Sequence, residues 1–132
     1  MPWTAPSVVR IDEPFTGPER AMLDGWLDFQ RTTLLHKCAG LTGEQLATKS
    51  TPPSSLSLLG LIRHHIDVER SWIRRRFLGE DIDSAYHRDG SWDHCFDDVD
   101  PALAEPEYAA LVAEQEACRR ALEGADLDAT FT

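Results

Sequence analysis

An all-α fold is the class this sequence predicts, and three observations predict it. Three stretches, about 18–38, 56–78 and 106–123, carry apolar side chains at the 3.6-residue period of an amphipathic helix. A glycine, Gly40, Gly79 or Gly124, follows each stretch, and prolines stand at or before their starts, which is the usual punctuation of helix ends. The composition, 42% apolar and 27% charged, is that of a globular chain with a packed core. At 132 residues one domain is the expectation, an up-and-down helical bundle.

Residues 1–17 contain Pro2, Pro6, Pro14 and Gly17 without a sustained period. They are expected as an extended arm, with residues 18–132 forming the bundle and Trp3, Val8, Val9 and Phe15 available to pack on it. Pro18 suits the first helical position, capped by Thr16 or Gly17, with Glu19 in the first turn. At 100° per residue Met22, Leu23, Trp26, Leu27 and Leu34 form the inward stripe of helix one, while Arg20, Asp24, Asp28 and Arg31 lie opposite. Gln30, Thr33 and Lys37 fall within the stripe; they are polar residues tolerated near the end of a helix, or they call for partners or a water-filled cleft.

Thr42-Gly43-Glu44-Gln45 has capping-box spacing and predicts a short turn of helix through Leu46. Pro52-Pro53 breaks the chain, and Ser54 or Ser55 is the expected cap of helix two. Residues 80–107 are rich in aspartate and predict a long connection with a turn of helix near 91–96. Pro106 opens helix three, which carries Tyr108, Leu111, Val112, Gln115, Cys118 and Leu122 on one face.

The formal charge of −10 repels phosphate backbones and anionic headgroups. Arg74-Arg75-Arg76, the one dense basic run, ends a helix, where cations complement the dipole. No nucleic-acid or membrane partner is therefore expected. Cys38, Cys95 and Cys118 are widely spaced and odd in number, as expected for reduced thiols, and nothing directs the chain out of the cytoplasm.

Helix two holds the candidate site. Its stripe comprises Leu58, Leu61, Ile62, Ile66, Val68, Trp72 and Ile73, with Arg63, Asp67, Arg70 and Arg74 on the other side. His65 and Glu69, four residues apart, fall near the middle of the stripe, and His64 lies at its margin. Ionisable groups there must be neutral, mutually bonded, metal-bound or open to a cleft. The residues alone leave two readings: a metal site for zinc, iron, nickel or manganese, or an internal His–Glu hydrogen bond. No Ser or Cys has a His and an acid arranged for nucleophilic catalysis, and Ser57 and Ser71 read as small packing residues. His87, His94 and Cys95 fit no zinc or calcium spacing and read as part of a solvated acidic loop.

The order Trp26-Leu27-Asp28, Arg31, Lys37, Gly40-Leu41, then Pro53-Ser54 and Leu58-Leu59-Gly60-Leu61-Ile62-Arg63-His64, followed by Val68-Glu69-Arg70 and Trp72, resembles the actinobacterial DinB-like proteins of the mini-circle type. Their superfamily includes mycothiol-dependent maleylpyruvate isomerase. The resemblance covers residues 19–79 well and 95–131 more loosely. It implies a four-helix DinB-like bundle with a divalent metal held by three residues, usually histidines, one of them from the second helix. His64 matches that position, five residues before Glu69, which implies His64 as metal ligand with His65 and Glu69 as its supporting groups. The resemblance also implies a low-molecular-weight thiol such as mycothiol as co-substrate, activated as a thiolate for transfer or isomerisation.

Relatives carry a fourth helix with an acidic residue and a His-rich segment, which this sequence lacks, so the site is expected to be incomplete here. A metal-dependent, thiol-using transferase or isomerase is the first reading, inactive if no other chain supplies ligands. A non-catalytic helical interaction or stress-associated module with a buried His–Glu network is the second. An uncovered apolar groove predicts a homodimer or a partner chain that covers it.

Overall fold

The computed structural model describes residues 2–87 and 93–132, and these are all-α, with helices and no strand beyond an isolated bridge between Thr4 and Thr42. The chain forms two compact units, residues 1–42 and 43–132. No helix among the described residues is long and apolar enough to cross a membrane.

The first unit is built on helix α1, Glu19–Cys38. Pro18 occupies the cap position in an extended conformation, and no side chain caps the helix, so neither Thr16 nor Gly17 has that role. The Pro18 carbonyl instead accepts the first helical hydrogen bond from Met22 N–H at 3.0 Å. The expected inward stripe is corrected: Leu23, Trp26 and Leu27 are exposed, whereas Arg31, Leu35 and Cys38 are buried. The arm lies along the aromatic part of the stripe and covers it only in part. Phe15 meets Trp26 edge-on at 6.4 Å, and the Arg10 guanidinium lies 4.5 Å over Phe29 while donating to Thr33 Oγ1 at 3.1 Å. Gly25 permits the approach of Pro14, whose Cγ would stand 2.5 Å from an added Cβ. Gln30 and Lys37 are exposed, and Thr33 is bonded to the Phe29 carbonyl at 2.7 Å.

In the second unit, α2 spans Gly43–Ala47, α3 Leu58–Glu69, a π-helix Arg70–Phe77, α4 His94–Asp97, a 3-10 turn Pro101–Leu103 and α5 Ala104–Leu122. Ser57 caps α3, its Oγ accepting from Gly60 N–H at 3.0 Å, so the cap is neither Ser54 nor Ser55 and Ser57 is more than a small packing residue. The stretch expected as one α-helix to residue 78 changes pitch at Arg70. Leu78 N–H reaches back five residues to the Ile73 carbonyl at 2.9 Å, the signature of π geometry. Gly79, with φ of 71°, then stops the helix. Helix α5 begins before Pro106, because Asp100 caps a 3-10 turn at Ala102 N–H, 3.0 Å away, and the turn runs straight into the helix. The expected turn near 91–96 appears as α4; residues 91 and 92 lie outside the described residues.

The core of this unit joins Leu46 of α2, Leu59, Ile62 and Ile66 of α3, Cys95 of α4, and Leu111 and Cys118 of α5, all buried to 2% or less. Each fully buried Leu or Ile contributes about 1.5–3 kcal/mol. The polar side of α3 is also covered, which corrects the expectation that it faces water. Arg63 and Asp67 are buried, and α5 turns Glu107 and Glu114 inward to meet the arginines. Arg63 Nε lies 3.3 Å from Glu107 Oε2, while Arg74 and Arg70 reach Glu114 at 3.0 and 3.4 Å. Tyr86 lies under the Arg63 guanidinium at 4.5 Å, and Arg63 Nη2 donates to Asp98 at 2.7 Å and to the His94 carbonyl at 3.2 Å. The inward face of α5 is accordingly rotated toward its acids, leaving Val112 exposed.

Candidate functional site

Residues 64, 67, 68, 71 and 72 recur at three- and four-residue steps, which places them on one side of α3 and of the π-helix that continues it. They line a mostly apolar pocket of about 190 Å³, whose remaining walls are Arg76 and Cys95. Of the histidine pair, His64 lines this pocket and His65 does not, although the helical wheel placed His65 nearer the stripe centre.

The His64 ring is set by Phe96, tilted at 36° with centroids 5.6 Å apart, and by His65, perpendicular at 6.0 Å. Phe96 can lie there because position 60 is glycine: an added Cβ would come within 2.5 Å of the Phe96 ring and 3.3 Å of its Cα. Asp67 is buried and its carboxylate accepts backbone N–H groups of Ala85, Tyr86 and His87 at 2.6, 2.9 and 3.1 Å. That carboxylate is the anchor that holds the 84–87 segment against α3. Cys95 is buried, and burial followed by the charge of Asp67 pushes its thiol up, which keeps it protonated rather than nucleophilic. The loop assigned to solvent from its composition is therefore partly structural, since His87 is held through its backbone, His94 through its carbonyl and Cys95 by burial.

Burial holds the His65 imidazole below its ordinary range, the neighbouring His64 adds to the effect, and Glu69 opposes it. His65 and Glu69 thus form an electrostatically coupled pair beside His64. Glu69 is itself buried, and its carbonyl receives the Cys118 thiol at 3.6 Å. Glu107 is pushed above its ordinary range by burial, against the pull of Tyr86 and Arg63.

A divalent metal needs several donors converging on one point. Among the described residues no three His, Cys, Asp or Glu side chains form such a group. In the pocket itself, the Asp67 carboxylate is taken up by three backbone donors, so the described residues do not assemble a donor set for a metal at His64. Asp67, Ser71, Arg76 and Cys95 are pocket residues that reading from sequence did not select. The signal for the first two was their spacing of three and seven from His64; for Cys95, contributed by α4, the sequence holds no signal. The arginine run is likewise more than a helix end: Arg74 bridges Glu80 and Glu114, and Arg76 lies 4.5 Å over Trp72.

A family model described as mycothiol-S-transferase matches residues 22–132, a span that includes all but the first three residues of α1 and every helix of the second unit. No curated protein and no solved structure matches the chain.

Proposed function

Since the chain belongs to the mycothiol-S-transferase family, within the DinB-like superfamily, we propose that it transfers the sulfur of a mycothiol-like thiol to a carbon electrophile in the pocket beside His64. The observation that carries this reading is the position of His64, a half-buried imidazole on the wall of a pocket that is mostly apolar. An apolar slot holds the reacting sulfur away from water, and an imidazole at its wall accepts the proton that a thiol of ordinary pKa near 8.5 must lose.

The step balances without another reagent. The thiol proton passes to a nitrogen of His64 as the sulfur attacks carbon; the new C–S bond forms as the bond to the leaving group breaks, and the leaving group departs with that electron pair. His64 then releases the proton to the leaving group or to water. His65 supports this role through charge: held neutral by burial, it adds no second cation beside His64 when His64 takes up the thiol proton.

Steady-state turnover of mycothiol with a benzylic halide tests the reading. His64→Ala should lower kcat/KM by about 10²–10⁴-fold, the usual share of a general base, with the helical circular dichroism unchanged. Retention of activity within threefold of the original chain would remove His64 from the chemistry.

A further inference from the structure

Ser71 is the hinge between the His64 pocket and a wider open cleft of about 620 Å³, because it lines both. Arg76 also belongs to both hollows. The cleft adds Arg75 and His87, with Glu80, Asp81 and Thr132 among its other lining residues.

The cations here differ in their engagements. Arg74, just before them, is occupied by Glu80 at 2.7 Å and by Glu114 at 3.0 Å. Arg76 is stacked on Trp72, which fixes its guanidinium plane while leaving its edge donors for another group. Arg75 is exposed and has no ion pair or hydrogen bond among the described residues. In a chain of net charge −10, carrying 23 acidic side chains, an arginine left without a carboxylate at the mouth of a pocket is a local excess of positive charge. Glu80 is taken by Arg74, so among the described side chains that line the cleft Asp81 is the acid left beside two guanidinium groups.

The change of pitch supplies the arrangement. From Arg70 the helix runs at the wider π spacing, and Ser71, Trp72, Arg75 and Arg76 all line one or both hollows. An apolar wall of Val68 and Trp72 thus adjoins a cationic rim.

We infer that the electrophilic co-substrate of this chain is a small organic carboxylate, its apolar body against Val68 and Trp72 and its carboxylate on the forked donors of Arg75 and Arg76. The inference rests on the transferase reading for the role of the bound molecule, and on the pocket and its arginines for the binding itself. Planar guanidinium forks match carboxylates in a bidentate way, which gives direction as well as attraction. The carboxylate end then sets the distance of the reactive carbon from His64.

Two measurements separate the anion site from the reaction. Binding of benzoate and of neutral benzamide is followed by titration calorimetry and by tryptophan fluorescence. Turnover with mycothiol is compared for 4-(chloromethyl)benzoate and its methyl ester. The expected result is that benzoate binds at least tenfold more tightly than benzamide. In Arg75→Gln, the ratio of kcat/KM for the acid over the ester should fall at least tenfold. Arg75 is exposed and has no partner among the described residues, so this variant does not endanger the fold, and Arg76→Gln provides a second reading at the stacked position. Equal affinity for benzoate and benzamide, or an unchanged acid-to-ester ratio in both variants, would overturn the inference while His64-dependent turnover of the ester kept the transferase reading. The converse, tight benzoate binding that Arg75→Gln abolishes with no turnover of either electrophile, would uphold the anion site and overturn the transferase reading.

Discussion

Replacing Arg63 by methionine should destabilise the chain sharply, and replacing Glu107 by leucine as well should restore most of the loss. Arg63 and Glu107 are 6% and 8% exposed, with Nε and Oε2 3.3 Å apart. At an effective dielectric of 20 that separation corresponds to about 5 kcal/mol of gross attraction, offset by the desolvation of both groups. Arg63→Met alone strands a buried carboxylate, with an expected cost of about 3–5 kcal/mol. The Asp98 arm contributes little to this figure, about 1 kcal/mol at most, because the Asp98 side chain is 62% exposed. In Arg63→Met/Glu107→Leu no charge is stranded, and a buried pair exchanged for apolar groups is often neutral or better. The assay is urea unfolding of the four chains of the cycle, with the m-value checked for constancy. Acidification adds a signed test. Glu107 already lies above its ordinary range, so the folded state takes up its proton more readily than the unfolded state does. In Arg63→Met the stability should therefore rise as pH falls from 7 toward 4.5, and be lost again as pH rises through the folded pKa. Single effects that add to the double within about 0.5 kcal/mol would refute the reasoning, since groups that touch and share a buried charge must couple.

The lowered His65 imidazole implies a second pH dependence, of opposite sign. The unfolded state binds its proton more readily, so stability should fall as pH drops below about 6.5, and His65→Asn should lose less between pH 7.5 and 5.5, as thermal melts at each pH would show. Equal losses in the two chains would mean that His65 is as free to protonate in the fold as outside it. Asp67→Asn turns one acceptor oxygen into a donor facing the 85–87 amides and should cost about 3 kcal/mol at about 1.5–3 kcal/mol per charged hydrogen bond. Hydrogen exchange at Ala85, Tyr86 and His87 should quicken together in that variant; unchanged protection there would show that Asp67 is not the anchor of the segment.

The candidate site joins two kinds of environment on one helical face. His64, Val68 and Trp72 present an apolar wall with one imidazole, and the arginines beyond Ser71 present charge. The ladder on the other side, Arg63 to Glu107 and Arg70 and Arg74 to Glu114, keeps α3, its π continuation and α5 in register. The pocket therefore depends on polar pairs that lie outside it. Asp67 links the two, since it lines the pocket and also holds the segment that supplies Tyr86 to the Arg63 side.

Much of the helix plan was legible in the chain itself. Apolar period marked 18–38 and 106–123 to within two residues of α1 and α5, and Gly40, Gly79 and Gly124 stand at positive φ just beyond the helices they were expected to end. These features are local: period, proline and glycine act through the backbone within a few residues. The residues around His64 likewise identified the family, because a motif is read without knowing what it touches. What the tertiary structure decided depends on distant partners. A helical wheel sends Arg63 and Asp67 to water because a lone charge is expensive to bury, and it has no access to Glu107, 44 positions further on, or to the amides of 85–87 that make their burial tolerable. It assumes 100° per residue, so it could not foresee the π pitch from Arg70 that goes with the Arg75 and Arg76 rim. It also placed Trp26 in a core, whereas in the folded first unit the arm's Phe15 packs on it and leaves it partly exposed. Pattern within a helix determined which residues coil together; only the meeting of separate segments determined which of their charges are buried, and so where the pocket opens.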